Sequence, residues 1–366
     1  MERVEKVKIE DTWNDIGVYA AKGKRSKMED TFMAYENAWG TGASFFGVFD
    51  GHTGTYAASY ARDRLMKNIV NRVADLKSLM GSPIEPDPYT SEQTLVIGSV
   101  KKGCHEADPY RWRWEKPKSE SKRKRHLNRL KPYLEVGGII DYQMFLRDVF
   151  KSTDLDLCAS ARKREFETGT TALVAIIDGS QLIVANVGDS RGVMCDSNGD
   201  PVPLSFDQKP DRKDEAERLE KAGGRISCDD GGITRLNDCF AISRSLGDQA
   251  EKLKHQLIPD PEVFIFDLSK YKPKFIVLAT DGLYHHLTND QVVAFIHQRL
   301  HEDDLGAKSL VRYAYLLGAR DNITVMVIYF ENDKWPPNPR NSWTTMIPSV
   351  VRRKYTEVFG YPVEKP

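Results

Sequence analysis

The chain has 366 residues, with 53 basic and 53 acidic side chains and therefore a formal net charge of zero. This balance creates no global field of the kind that marks a nucleic-acid or membrane-surface binder. No segment approaches the ~20 consecutive apolar residues of a membrane-spanning helix, and the N-terminus has no apolar signal-peptide core. We therefore expect a protein of the cytoplasm, the nucleus or both.

The cysteines are odd in number and scattered, and no two of them form a CxxC pair: Cys104, Cys158, Cys195, Cys228 and Cys239. This pattern indicates reduced thiols and excludes a disulfide framework or a zinc knuckle. We expect all five to be small buried side chains.

The first half of the chain alternates apolar segments with turns. Ile16 to Ala21 and Ser44 to Asp50 are aromatic or β-branched, which predicts two strands. From Tyr56 to Asp75 apolar residues recur at helical spacing, which predicts a helix. Prolines and the basic run Arg111 to Lys131 then predict an insertion or long loop at about 81–137.

The second half is predicted to contain a helix over Asp141 to Glu167 and then strands joined by tight turns at Asp178 to Ser180 and at Asn198-Gly199. Further helices are predicted at 211–222, 290–300 and 305–317, and further strands at 263–268, 275–279 and 323–330. Hairpin-connected strands with few long helices favour an α+β fold with antiparallel sheets. The expected domain spans 1–330, and 331–366 is a C-terminal extension.

Four aspartates share one context, since each adjoins an apolar strand: Asp50, Asp189, Asp281 and Asp321. Any one of them alone is explained equally well as a turn or cap residue, but four in the same context favour a shared site. Clustered carboxylates repel one another, and a hard divalent cation relieves that repulsion. All-oxygen ligands favour magnesium or manganese over zinc, and two such ions ~3.5–4 Å apart can activate a bridging water.

Seven short motifs then occur in a fixed order: GKRSKMED, VFDGHTG, TGTTA, VGDSR, SRSLGD, ATDG and RDN. Together they resemble the type 2C, or PPM, family of metal-dependent serine/threonine protein phosphatases, over about Ile16 to Phe330. The resemblance implies a four-layer α-β-β-α sandwich of two antiparallel sheets flanked by helices. It also implies hydrolysis of phosphoserine and phosphothreonine on proteins by a water that two Mg²⁺ or Mn²⁺ ions activate, without a phosphoenzyme.

The resemblance also implies roles for individual residues. Asp50 would bridge the two metals, the Gly51 carbonyl and Glu29 would bind one of them with Asp30 in its water shell, and Asp281 and Asp321 would hold the other. Arg25 would bind the substrate phosphate, for which a planar guanidinium is suited. His52 would be the general acid that protonates the departing seryl or threonyl oxygen.

Three positions depart from the family pattern. His285 stands where the family usually has an aspartate that forms a third, weaker metal site with Asp189 and Asp281, so that third site stays open. Thr53 replaces a usual glycine and Gln208 a usual histidine, and we expect both to affect substrate preference.

Other interpretations remain. A catalytically inactive relative would act as a binding scaffold, and the carboxylates also suit a nuclease or another two-metal hydrolase. The basic run Lys122 to Arg125 fits a nuclear-import signal, a patch for an acidic partner or a solvated loop equally well. A protein partner could bind either the insertion or the C-terminal extension. Cys158 and Arg164 have the spacing of a cysteine phosphatase, but they lie in a helical pattern without the glycines of a phosphate loop.

Overall fold

The computed structural model describes residues 14–38, 41–81, 95–98, 120–135 and 139–330. Most of the predicted insertion and all of the predicted extension 331–366 lie outside these residues. This segment was predicted to be an insertion or a long loop, and its described part contains the strand Leu95–Gly98 and the helix Glu120–Leu130. Leu130 of this helix is buried and belongs to the main core, so apolar contacts explain why the helix forms here.

The described residues form the following strands: β1 Asn14–Ala21, β2 Thr31–Tyr35, β3 Ala43–Phe49, β4 Gly51–His52, β5 Leu95–Gly98, β6 Gly169–Thr170, β7 Ala172–Asp178, β8 Gln181–Val187, β9 Arg191–Cys195, β10 Pro201–Pro203, β11 Ile226–Cys228, β12 Thr234–Leu236, β13 Leu246–Gly247, β14 Glu262–Asp267, β15 Phe275–Ala279 and β16 Ile323–Phe330. They form the following α-helices: α1 Tyr56–Tyr60, α2 Met66–Leu79, α3 Glu120–Leu130, α4 Tyr142–Arg162, α5 Lys213–Lys221, α6 Gln249–Leu253, α7 Leu268–Tyr271, α8 Asp281–Tyr284, α9 Asn289–His297 and α10 Ala307–Leu316. A π-helical turn, Ala61–Leu65, joins α1 to α2, and a 3₁₀ turn, Lys131–Tyr133, follows α3.

Two antiparallel sheets dominate the fold. One has the strand order β14-β8-β7-β3-β2-β5, and the other has the order β1-β16-β15-β9-β10. Successive side chains of a strand face opposite sides of its sheet. Phe46 of β3 and Met326 of β16 therefore belong to one cluster between the sheets, whereas Phe45 packs with residues of α2 and α4, and Val325 packs with residues of α9 and α10.

These contacts form four layers, which confirms the predicted α-β-β-α sandwich. Each fully buried Phe or Met stabilises the sandwich by about 1.5–3 kcal/mol. Two small sheets lie outside it: β13-β6-β4, and the ribbon β11-β12. Among the residues that the structure describes, no helix has both the length and the apolar character that a bilayer span requires.

Two local expectations are corrected. Helix α4 ends at Arg162 instead of Glu167, because the chain turns there and Glu165 adopts a φ of 57°. Cys228 and Cys239 are exposed instead of buried, since the ribbon β11-β12 packs on a cluster with only three fully enclosed leucines. Cys104 lies outside the described residues.

Candidate active site

Strand pairing brings the four strand-end aspartates to one end of the sandwich. In one sheet Ala279 at the end of β15 pairs with Val325 near the start of β16, so Asp281 and Asp321 lie at the same edge. In the other sheet the ends of β3 and β8 both flank the start of β7, and Asp50 and Asp189 follow directly. Antiparallel register thus explains the shared edge within each sheet, and the packing of the two sheets on each other brings the two edges together.

Two glycines let the loops of this edge approach closely. A Cβ at Gly282 would collide with the backbone carbonyl of Asn322, so the loops that carry Asp281 and Asp321 lie in direct contact. A Cβ at Gly51 would lie 2.6 Å from the carbonyl oxygen of Glu29. Only glycine allows these two contacts without a shift of the backbone.

Asp50 and Asp281 form the centre of the carboxylate cluster. Their side chains adjoin each other, so the protonation of one directly affects the other. Burial, followed by the charges of Asp30 and Asp281, raises the pKa of Asp50 well above its usual range. Burial and the charge of Asp189 raise the pKa of Asp281 to about 8. Such a cluster is stabilised either by protons or by bound cations.

Asp30 is a buried carboxylate of the same cluster. Its Oδ2 accepts hydrogen bonds from Thr280 Oγ1 at 2.9 Å and Thr324 Oγ1 at 2.8 Å. Its Oδ1 is buried without a partner among the described residues. Burial raises the pKa of Asp30 to about 7, although the two threonines oppose the shift. An unpartnered carboxylate oxygen in such a cluster fits a cation or a water that a cation holds.

Two basic side chains lie at the rim of the cluster. Arg25 Nη2 is 2.6 Å from Asp321 Oδ2, and Lys209 Nζ is 2.9 Å from Asp189 Oδ2. In the described part of the chain, no three His, Cys, Asp or Glu side chains are set for a metal ion as they stand. Asp321 and Asp189 are each paired with a basic neighbour, which offsets part of the repulsion between the carboxylates.

His285, the departure from the family pattern, lies beside the cluster, with its Nε2 3.6 Å from Asp281 Oδ2. Burial and the neighbouring Lys209 lower the pKa of His285, so the ring is neutral near pH 7 and able to act as a ligand. Asp189, however, is already paired with the Lys209 ammonium.

Glu29 belongs to a loop that is fixed to the start of β16. The Glu29 amide donates to Asn322 Oδ1 at 2.8 Å, and Asn322 Nδ2 donates to the carbonyls of Lys22 and Lys27. Glu29 Oε1 accepts a hydrogen bond from the amide of Gly54. Asn322 thus positions the whole GKRSKMED loop, a role that sequence reasoning missed although the residue belongs to the RDN motif.

His52 forms an ion pair on the other side of the cluster. Its Nε2 lies 2.8 and 2.9 Å from the two carboxylate oxygens of Asp248. Burial lowers the pKa of His52, but Asp248, with smaller contributions from Asp189 and Glu29, raises it by more, so the net shift is upward. Asp248 is the last residue of the SRSLGD motif, and sequence reasoning assigned it no role.

Comparison with known proteins agrees with this geometry. The family model described as Protein phosphatase 2C matches residues 113–323. The bovine "Protein phosphatase 1L" is 35% identical over 326 residues, which cover 88% of this chain and 75% of that protein. The Arabidopsis thaliana "Probable protein phosphatase 2C 59" is 30% identical, with 87% and 80% coverage. The chain belongs to the protein phosphatase 2C family.

Solved structures of similar fold extend the comparison. The serine-threonine phosphatase 2C from Toxoplasma gondii has a TM-score of 0.60 at 20% identity and covers 90% of this chain and 100% of its own. A C. elegans sex determining protein has a TM-score of 0.62 at 21% identity, covering 88% of this chain and 66% of its own. At these identities the structures support the fold. The family match identifies a serine/threonine protein phosphatase, whose substrates are phosphoproteins.

In this phosphatase Gln208 lies beneath the site, and its expected effect on substrate preference stays a prediction. The side chain is fully buried. Its Oε1 accepts a hydrogen bond from the Gly188 amide at 2.7 Å, and its Nε2 donates to the Asn186 carbonyl. Gln208 therefore supports the turn before Asp189. Thr53 lies beside His52 with a left-handed φ of 55°, where a glycine costs less.

The phosphatase does not use Cys158 as a nucleophile. The residue lies within α4, and burial raises the pKa of its thiol to about 11. Such a thiol is protonated near pH 7 and unreactive.

Proposed function

We propose that the chain hydrolyses phosphoserine and phosphothreonine in proteins directly, by a water that two divalent cations, Mg²⁺ or Mn²⁺, activate, and without a phosphoenzyme. The observation that carries this proposal is the pair of half-buried carboxylates Asp50 and Asp281, which adjoin each other and have raised pKa values. They share the site with Asp30, whose Oδ1 is buried without a partner among the described residues. A carboxylate cluster of this kind is stabilised when cations replace its protons.

The residues that would hold the two ions are Asp50, Gly51 through its carbonyl, Glu29, Asp30, Asp281 and Asp321. When bound, the ions lower the pKa of water towards neutrality and offset the charge of the phosphoryl oxygens. A third, weaker site at Asp189, Asp281 and His285 would require Lys209 to leave Asp189.

Arg25 is proposed to bind the substrate phosphate. Its side chain is 64% exposed and is held over the cluster by Asp321. A guanidinium can donate two parallel hydrogen bonds to phosphate oxygens. An ion that binds Asp321 would compete with this ion pair and would leave Arg25 available for the substrate.

His52 is proposed to protonate the leaving oxygen as the phosphorus–oxygen bond breaks. Nε2 is held by Asp248, and Nδ1 has no hydrogen-bond partner among the described residues, so Nδ1–H is the donor to the substrate. A seryl or threonyl alkoxide is a poor leaving group, and a positioned general acid contributes typically ~10²–10⁴-fold.

Hydrolysis of a phosphothreonine peptide with Mn²⁺, with Mg²⁺ and with a chelator tests the proposal. We expect chelator to abolish turnover and Asp281→Asn to lower kcat on the order of 10³-fold, because the ions supply several kcal/mol of transition-state stabilisation. Asp303→Asn, a change at an exposed aspartate outside the site, is the matched control. Chelator-resistant turnover would contradict the metal requirement, and radioactive phosphate trapped on acid-quenched protein would contradict direct hydrolysis.

A further inference from the structure

We propose that Asp248 is a positioning residue that fixes the His52 ring for proton delivery, and that Asp154 and Lys252 hold Asp248 in place. This inference rests on the proposed role of His52 as the proton donor. It assigns functions to three residues of which two, Asp154 and Lys252, lie outside the seven motifs of the sequence.

The first observation is how tightly Asp248 holds the ring. Both of its oxygens lie within 2.9 Å of His52 Nε2, and Ser245 Oγ donates to Asp248 Oδ2 at 2.6 Å. The Asp248 side chain is 5% exposed, against 30% for His52. A carboxylate with this contact fixes the orientation of an imidazolium ring, and the second N–H, on Nδ1, has no partner among the described residues.

The second observation is that the small sheet β13-β6-β4 brings the side chains of His52 and Asp248 together. His52 on β4 is paired with Gly169 on β6, which is paired in turn with Gly247 on β13, the residue before Asp248. A Cβ at Gly169 would collide with both the Asp248 carboxylate and His52 Nε2. The glycine therefore leaves the space in which the two side chains meet.

The third observation is that Asp154 and Lys252 form polar contacts that support the turn carrying Asp248. Gly247 and Asp248 both have left-handed backbone conformations, with φ of 88° and 48°. Non-glycine residues adopt this conformation at a cost, which the surroundings must offset. The Asp154 carboxylate of α4 supplies part of that support, since its Oδ1 accepts the Gly247 amide at 2.8 Å.

Lys252 provides the second part of this support. Its Nζ lies 3.1 Å from Asp154 Oδ1 and donates to the Ser245 carbonyl at 2.5 Å. The ammonium thus ties α4 to Ser245, while Asp154 itself holds the Gly247 amide at the other end of the segment 245–248. Asp154 is 4% exposed as a residue, so it does not contact a substrate, and its effect on catalysis passes through Asp248.

The test compares two substrates with different leaving groups. 4-Nitrophenyl phosphate has a leaving group that departs without a proton, whereas a phosphothreonine peptide requires one. We expect Asp248→Asn to lower kcat for the peptide at least about 10-fold more than kcat for the aryl phosphate. Asp154→Asn and Lys252→Met should likewise lower kcat for the peptide relative to kcat for the aryl phosphate, so that the ratio of the two kcat values changes by about 3-fold or more. Asp156→Asn, at an exposed position of the same helix, should not change it.

His52→Gln separates this inference from the proposed function. If His52→Gln shows no preference between leaving groups, the role of His52 as proton donor fails. If His52→Gln discriminates but Asp248→Asn lowers both activities equally, the positioning role is wrong. We also expect the double variant His52→Gln/Asp248→Asn to match His52→Gln alone, because the two residues act as a unit. If the losses of the two single variants add in the double variant, the proposal that Asp248 acts through His52 is wrong. If Asp154→Asn and Lys252→Met both leave the ratio of the two kcat values unchanged, the proposal that Asp154 and Lys252 hold Asp248 is wrong.

Discussion

Asp30 and Asp281 show how the environment of single residues sets their chemistry. Each is enclosed by the ends of two sheets, and burial raises their pKa values from 3.8 to about 7 and about 8. A carboxyl group with a higher pKa in the folded state binds its proton more tightly than the unfolded chain does. Its contribution to stability is therefore present at low pH and is lost as the pH rises through the folded-state pKa.

We accordingly expect the ion-free protein to lose stability between about pH 4 and about pH 8. Mn²⁺ should raise Tm more at pH 8 than at pH 6, by an amount on the order of several degrees, because at the higher pH it replaces fewer protons. Thermal unfolding with chelator and with Mn²⁺ measures both effects. Asp281→Asn should flatten the pH dependence in chelator, and a wild-type Tm that is constant from pH 6 to pH 8 in chelator would contradict the prediction.

At the level of elements, the site depends on how closely the end of β15 approaches the start of β16. Gly282 is the second residue of helix α8, directly after Asp281, and the position of its missing Cβ is occupied by the backbone of Asn322. Backbone cannot move aside as the end of a flexible side chain can, so a methyl group here must separate the two loops.

Gly282→Ala is therefore expected to lower the free energy of unfolding by about 1–3 kcal/mol and to weaken Mn²⁺ binding, because Asp281 and Asp321 move apart. Urea unfolding and titration calorimetry measure the two quantities. Gly231→Ala is the control, since the nearest atom to its Cβ would be a side-chain oxygen 3.2 Å away. Unchanged Mn²⁺ affinity in Gly282→Ala would show that the close approach is not needed for the site.

At the level of the whole molecule, a buried ion-pair network ties the segment after β10 to the sandwich. Glu215 on α5 lies within 2.7 Å of Arg218 and 2.5 Å of Arg244. Arg212 reaches both Glu215 and Glu262, the first residue of β14 at the edge of a main sheet. Burial alone would raise the pKa of Glu215, but Arg244 and Arg218 lower it to about 2.

Removal of the charge by Glu215→Gln takes from Arg218 and Arg244 their nearest carboxylate, and breaking a buried ion pair in this way typically costs about 3–5 kcal/mol. Because the pKa of Glu215 is lowered in the folded state, its stabilisation is present above pH 4.5 and is lost as the pH falls towards about 2. The difference in unfolding free energy between wild type and Glu215→Gln should shrink over this interval in urea titrations. Glu217→Gln, an exposed change on the same helix, should remain near wild type, and a pH-independent difference would argue against the network.

The local pattern of apolar residues and turns was enough to predict most of the main strands and helices. β15 at Phe275–Ala279 and β16 at Ile323–Phe330 were predicted with their observed bounds, because a buried apolar run between turns has few alternatives. Helix α3 was missed, since its polar composition conceals the contacts of Leu130 that stabilise it. The exposure of Cys228 was missed for the related reason that burial depends on which segments pack nearby.

The sequence by itself determined the order of the motifs, the residue types at the strand ends and hence the family, because these are properties of short segments. Only the tertiary structure decided which residues meet. The ends of β3 and β15, which belong to different sheets, place Asp50 and Asp281 beside each other although they are far apart in the chain. The fold also pairs His52 with Asp248, and Asp189 with Lys209. Contacts of this kind depend on sheet pairing and on glycine-permitted approach, which no local pattern of residues encodes.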